Sequence, residues 1–302
     1  MSSSQQLEVG EGEESGLDEE LRKQAVRETG RGSASPAGRK VTFGFHLVEG
    51  KTPHGMEDRH VAEFRRLEDG NEVGLFAVFD GHAGADVATY LREHLFDDIL
   101  REPGFWTDTV DAIRRTYHRT DRRVLEMTEE EGDGEERRRR NAGSTAVTAI
   151  LINGERLVVA NVGDSRVVAC ERGGPARQLS VDHEPLRERA AVEARGGFVT
   201  EIHGDVPRVD AQLAMSRAFG DRGLKDHISS DPDVAIEDVG AGAGTEFVVL
   251  ASDGLWKVMS NQECVDAVRG TADARKAAAE LVGEALERGS ADDIACVVVR
   301  LH

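Results

Sequence analysis

Three cysteines in 302 residues, Cys170, Cys264 and Cys296, are too few and too scattered for a disulfide framework. No pair has CxxC spacing. Flanks such as VVAC and CVVV are apolar, so these residues read as small core side chains in a reducing compartment. No apolar run approaches the length of a membrane-spanning helix. The opening stretch, MSSSQQLEVGEGEE, is acidic and polar, which fits neither a signal peptide nor an Arg-rich transit peptide. These absences predict an intracellular protein of the cytosol and/or nucleus. Basic residues are also short: 38 Lys and Arg stand against 57 Asp and Glu, a formal net charge of −19. Such a surface repels nucleic acid and anionic membranes, so neither is expected as a partner. The glycine-rich GAGAG at 240–244 lacks the Lys-Ser/Thr of a phosphate-binding loop and reads as a turn. Ser165 and Ser216 have no nucleophile-elbow context, which argues against a serine hydrolase.

What is present divides the chain in two. Residues 1–40 are rich in Glu, Ser, Gly and Arg, without sustained apolar periodicity. They are expected to form a disordered acidic tail, with a transient helix around Leu17–Val26. Residues 41–302 carry enough apolar material for a single large domain. Within it, 59–65 and 73–79 are strand-like around an Asp69-Gly70-Asn71 turn. Helical spacing covers 84–100 and 106–127. TEEEGDGEERRRRN (128–141) reads as a charge-balanced surface loop, with nuclear import as the alternative reading of its arginines. Strands at 145–152, 156–162 and 165–171 follow, joined by Asn153-Gly154 and Gly163-Asp164 in the pattern of an antiparallel meander. A short helix is expected at 186–195, a strand at 246–252, helices at 260–269 and 273–288, and a last strand at 294–301. Clustered strands flanked by paired helices predict an α+β layered sandwich, not a parallel βαβ sheet.

The acids fall at telling places. Asp80 ends the apolar strand VGLFAVFD, and Asp253 ends EFVVLASD. An acid at the end of a strand buried on both faces is costly unless a cation pairs with it. Glu57 and Asp58 begin the strand expected to pair with the Asp80 strand across a hairpin, which brings them beside Asp80. Asp292 and Asp293 begin the last strand, and antiparallel pairing with the Asp253 strand brings them to the same edge. Oxygen-only ligation favours Mg²⁺ or Mn²⁺ over Zn²⁺. Two such ions roughly 4 Å apart bridge a water, lower its pKa and clamp an in-line displacement at phosphorus. His82, two residues after Asp80, is placed to protonate the leaving alkoxide.

Met56-Glu57-Asp58, FAVFDGHAG (76–84), GSTAV (143–147), NVGDSR (161–166), LSVDHEP (179–185), EARGGFV (193–199), LAMSRAFGD (213–221), SDPDV (230–234), ASDGLWKVMS (251–260) and ADDIACVVV (291–299) follow in order. Together they resemble the type-2C protein phosphatases, the metal-dependent PPM family, and most of all its compact plant members. The resemblance covers about residues 41–302. It implies a central antiparallel β-sandwich flanked by pairs of α-helices, four layers in the order α-β-β-α. It also implies hydrolysis of phosphoserine and phosphothreonine in phosphoprotein substrates by a dinuclear-metal-activated hydroxide, in a monomer. Carried over by position, Asp80 would bridge both ions. Glu57 and the Gly81 carbonyl would complete one shell, and Asp253 and Asp292 would hold the other ion. Asp58 would act through a metal-bound water, His82 would be the general acid, and Asp164 would help hold a weaker third ion.

Three positions depart from the family pattern. Pro53 stands where an arginine often grips the substrate phosphate, and Lys51 is expected to take that role. Lys257 stands where many members have an aspartate that shares the third ion. Asp293 replaces the usual asparagine of the last motif, and is expected to preserve a hydrogen bond. Residues 198–212, ahead of LAMSR, hold no tryptophan, so coupling to hormone receptors of the kind seen in some plant members is not expected. Asp182-His183-Glu184 reads as a strand exit ahead of Pro185, not as a catalytic triad. A silent binding module on the same fold would have lost at least one principal acid, and none is lost here. A phosphohydrolase of small metabolites is the remaining competitor.

Overall fold

A computed structural model describes residues 26–127 and 141–302. In chain order the strands are β1 (Val26–Ala34), β2 (Val41–Val48), β3 (Arg59–Arg66), β4 (Glu72–Phe79), β5 (Gly81–His82), β6 (Gly143–Ser144), β7 (Ala146–Ile152), β8 (Arg156–Val162), β9 (Arg166–Glu171), β10 (Ala176–Gln178), β11 (Val199–Thr200), β12 (Arg208–Val209), β13 (Phe219–Gly220), β14 (Asp233–Asp238), β15 (Thr245–Ala251) and β16 (Ile294–Leu301). The helices are α1 (Asp86–Arg101), α2 (Thr109–Met127), α3 (Arg189–Ala194), α4 (Asp253–Trp256), α5 (Asn261–Val268) and α6 (Ala274–Glu287). Among the described residues no helix is long and apolar enough to cross a membrane.

Two sheets dominate, one in the order β1-β2-β16-β15-β9-β10 and one in the order β14-β8-β7-β4-β3. Their ladders are antiparallel throughout. The continuous apolar strands follow from burial on both faces. In β4, Phe76 and Val78 point into the core between the sheets, where they join Val147, Val248 and Val297. The alternate residues Leu75, Ala77 and Phe79 meet Leu91, Leu95 and Ile99 of α1 and Ile113 and Tyr117 of α2. On the far side, Val249, Cys296 and Val298 pack under Cys264, Val265 and Leu281 of α5 and α6. Strand alternation of period two thus serves two cores at once, and the layers run α-β-β-α. All three cysteines are buried and unpaired. Burial pushes the Cys170 thiol up to about 11, as expected of core residues.

Local sequence sets the helix boundaries. Ser260 and Glu263 form a reciprocal capping box at the start of α5, and the Asp273 carboxylate accepts from the Lys276 backbone N–H at the start of α6. Helix α6 lies directly on β2 at Gly44, where any Cβ would collide with the Arg275 backbone.

Two expectations need correction. The tail does not stay unstructured to residue 40, because β1 pairs with β2 over its length. Its sequence, VRETGRGSA, hides this, since backbone pairing needs no apolar side chain. Gly30 and Gly32 instead leave room for the rings of Phe45 and Phe43. Of the helix expected around Leu17–Val26, all but Val26, which begins β1, lies outside the described residues, as do residues 128–140 of the 128–141 loop. The second correction concerns the meander. β7 and β8 pair, but β9 belongs to the other sheet, between β15 and β10. Gly163, at φ +103°, sits against Thr145 and turns the chain from one sheet to the other.

Candidate metal centre

The antiparallel registers bring the strand-end acids to one edge of the sandwich. Arg59 pairs with Phe79, so Asp58 and Asp80 flank the same end of the β3–β4 hairpin. Ala251 pairs with Cys296, which places Asp253 and Asp292 at the end of the β15–β16 pair. Asp164 arrives from the β8–β9 crossing. Asp80, Asp164 and Asp253 each offer a carboxylate oxygen within 4.8 Å of the other two. Asp80 and Asp253 approach closely enough for a carboxyl–carboxyl hydrogen bond.

The electrostatics are those of a site built for cations. Burial, then the charges of Asp58 and Asp253, hold the Asp80 carboxyl well above the ordinary carboxylate range. Burial, Asp293 and Asp253 raise Asp58 well above it too, against a hydrogen bond from Ser252. Burial and Asp253 lift Asp164 to about 7. Two oxygens, Asp58 Oδ2 and Asp164 Oδ1, are buried without a hydrogen-bond donor among the described residues. Buried lone pairs without donors on clustered acids, with oxygen as the only donor type, fit a hard divalent cation. Asp58, only 2% exposed, is the most deeply set of the group.

A pH dependence follows. In metal-free protein a carboxyl whose pKa is raised by folding stabilises at low pH, and that contribution is lost as pH rises through the folded value. The melting temperature of the EDTA-treated protein should therefore fall between about pH 5 and pH 8, and Mn²⁺ should raise it most at the alkaline end. Scanning fluorimetry across that range checks this. A stabilisation by Mn²⁺ that is equal at both ends would contradict it.

The remaining expected residues are distributed around this trio. Glu57 is half-buried on the loop before β3. Burial raises its pKa, and a hydrogen bond from Gly84 opposes the shift. Asp293 holds that loop in place, accepting from the Gly50 and Glu57 backbone N–H groups at 2.7 Å each. This is the hydrogen-bonding role expected of it. Gly81 is buried, and a Cβ there would lie 2.8 Å from the Glu57 carbonyl oxygen. Asp292 stands outside the close trio and pairs with Lys257 at 2.8 Å. Burial would lower the Lys257 pKa, but Asp253 and Asp292 raise it beyond the ordinary lysine value. Lys51 is exposed, on a loop tied to Ala291 by a 2.8 Å backbone hydrogen bond.

His82 Nε2 lies 2.9 Å from both carboxylate oxygens of Asp221. Burial lowers its pKa, but Asp221 outweighs that and raises it. Its Nδ1 is buried without a partner among the described residues. Gly143 faces this pair, and a Cβ there would collide with both side chains.

Several positioning residues were not singled out from sequence. The Asp80 backbone N–H donates to Thr145 Oγ1 at 3.0 Å, and that hydroxyl meets Ser165 Oγ at 2.7 Å. Two small hydroxyls thus join the Asp80 and Asp164 loops. His183 Nδ1 accepts from the Gly163 N–H at 2.9 Å, and its Nε2–H donates to Asp233 at 2.8 Å. Asp182 is instead bound to Arg166, so Asp182-His183-Glu184 is no triad. Ser216 is fully buried and donates to Glu188.

The model of the family described as Protein phosphatase 2C matches residues 49–294. The chain is 55% identical over 273 residues to probable protein phosphatase 2C 58 of Arabidopsis thaliana, covering 90% of this chain and 92% of that protein. It is 54% identical to probable protein phosphatase 2C 44 of Oryza sativa subsp. japonica, covering 91% and 83%. Among solved structures, a serine-threonine phosphatase 2C from Toxoplasma gondii shares the fold, with a TM-score of 0.73 at 24% identity over 92% of this chain and 100% of that one. A C. elegans sex determining protein aligns at a TM-score of 0.72 and 27% identity, over 86% of this chain and 64% of that one.

Proposed function

The chain belongs to the protein phosphatase 2C family, and we infer that its acidic edge holds the divalent cations of a metal-dependent serine/threonine protein phosphatase. The observation that carries this reading is the convergence of Asp80, Asp164 and Asp253, with oxygens on Asp58 and Asp164 that lack a donor among the described residues. In this assignment Asp80, Glu57, the Gly81 carbonyl, Asp253 and Asp292 would hold the ions, and Asp58 would support them from deeper in the site. Asp164, close to Asp80 and Asp253, is available to a weaker third ion. All-oxygen donors support Mg²⁺ or Mn²⁺. When bound, such ions neutralise phosphoryl charge and activate a water for in-line attack at phosphorus.

The chain's own groups supply the rest. Asp221 anchors the His82 ring through Nε2 and favours its protonated form, the form that a general acid for the departing serine or threonine oxygen requires. Gly143 keeps the space in which that pair packs. Exposed Lys51, on the loop beside Glu57, is assigned to capture the substrate phosphate. Residues 41–302 are assigned as the phosphatase domain, with β1 as an added edge strand. Three buried, unpaired cysteines support residence in the cytosol or nucleus.

Phosphothreonine and phosphoserine peptides are expected to turn over with a higher kcat/KM than small phosphate monoesters of metabolites. The reverse order would overturn the protein-substrate assignment. Lys51→Ala should raise KM for the peptide about tenfold with kcat nearly unchanged, the signature of a lost charge-assisted binding contact. An unchanged KM would remove Lys51 from the site.

A further inference from the structure

A cavity of about 260 Å³ lies between α1, the end of α2 and Ala142. It is smaller than the roughly 300–1,000 Å³ pockets that enclose whole small-molecule ligands, and its size suits one long side chain. The strand register sets it beside the reaction centre. His82 pairs with Gly143, so Ala142 is the next residue along, and its carbonyl accepts from the Asp221 N–H at 2.9 Å. The α1 wall is tied to the centre as well. Thr89 Oγ1 accepts from Arg59 Nε at 3.1 Å, and Arg59 Nη1 donates to the Met56 and Asp58 carbonyls at 2.9 and 2.8 Å. The cavity is therefore held at a set separation from both His82 and the Glu57 loop.

Its lining is apolar within and anionic at the mouth. Val87, Val124 and Ala142 are buried and supply an apolar floor. Tyr90 and Glu93, three residues apart on α1, are neighbours on one helix face. The Tyr90 ring lies against that of His94, centroids 4.4 Å apart, which steadies it. Glu93 is exposed, and its one ion-pair partner among the described residues is His94 at 3.9 Å. Asp86 adds a second carboxylate, but in the first turn of α1, where the positive end of the helix already engages it. No lysine or arginine among the described residues lines the cavity.

We propose that this cavity is a subsite for a basic side chain of the phosphoprotein substrate, with its stem on the apolar floor and its cationic head over Tyr90 against Glu93. The inference rests on the phosphatase reading above and names the class of sequence that it prefers, a phosphothreonine or phosphoserine with arginine or lysine a few residues away. The floor takes the methylene stem, the aromatic face attracts the cation, and Glu93 supplies the counter-charge. A guanidinium suits this wall better than an ammonium, because its plane stacks on the ring. An acidic side chain is repelled there by Asp86 and Glu93.

The test is a set of phosphothreonine peptides with one arginine moved through the positions on either side of the phosphoresidue, each paired with a norleucine peptide that keeps the stem and lacks the charge. Kinetics are measured on Mn²⁺-loaded full-length protein. For wild type, kcat/KM should favour arginine over norleucine about tenfold at one position, chiefly through KM. That ratio cancels any general loss of activity in a variant. It should fall to about one in Glu93→Gln and less steeply in Tyr90→Leu and Asp86→Asn. No positional gain in wild type, the result expected were the chain's own Arg137–Arg140 to occupy the cavity, would overturn the proposal. So would a gain that survives Glu93→Gln undiminished. Failure of wild type to hydrolyse any of the peptides would overturn the protein-phosphatase reading itself, and this inference with it.

Discussion

Asp80→Asn is expected to lower kcat for a phosphothreonine peptide by about 1000-fold, with a metal-free melting temperature at or above that of the wild type. The two halves have one cause. Asp80 is assigned as a ligand of the ions, and the charge stabilisation such ions supply is several kcal/mol, so losing about 4 kcal/mol of it costs about three powers of ten in rate. In the metal-free protein the same carboxylate is a burden, because burial, and then the charges of Asp58 and Asp253, raise its pKa. Asparagine is nearly isosteric and uncharged, so it relieves that repulsion. A variant that lost activity together with much of its stability would point to misfolding, and one that kept activity would remove Asp80 from the chemistry. Turnover and scanning fluorimetry on one preparation separate these outcomes.

His82→Ala should lower kcat for phosphopeptides by about 100- to 10,000-fold, the usual range for loss of a general acid. The loss should depend on the leaving group. An alkoxide of serine or threonine needs a proton as it departs, whereas a nitrophenolate does not. The variant should therefore keep much more of its rate on p-nitrophenyl phosphate than on peptide. Asp221→Asn is the companion measurement. Asp221 offsets the effect of burial and raises the His82 pKa. Without that carboxylate the pKa falls, the protonated form is lost at lower pH, and the alkaline limb of the kcat profile should move toward acid. Equal losses on both substrates, or an unmoved limb, would deny His82 the role of acid.

Much of the site was legible because its acids stand where a buried strand ends. Asp80 and Asp253 close continuous apolar runs, and such runs mean burial on both faces, as the helix-facing and sheet-facing halves of β4 demonstrate. The Asp69-Gly70 turn set the β3–β4 register, and with it the placing of Asp58 beside Asp80. What escaped is of another kind. The β1 strand is held by its backbone and by rings from β2, so its own side chains carry no apolar pattern. The transfer of β9 to the second sheet turns on one positive-φ glycine, and the same dipeptide serves equally in a hairpin. Asp221 meets His82 across 139 residues, and Thr145 meets Ser165 through ordinary hydroxyls, so neither pairing leaves a spacing to detect. Lys257 was legible as an oddity of sequence. Its position between two carboxylates required coordinates.

The most direct test is phosphate release from a phosphothreonine peptide by EDTA-treated, desalted protein, before and after titration with Mn²⁺ or Mg²⁺. Activity should be absent after chelation and return saturably with either ion in the wild type, while Asp80→Asn stays inactive at the same concentrations. Phosphate release that persists without a divalent cation, or that Asp80→Asn restores as fully as wild type, would contradict a metal centre built on these aspartates.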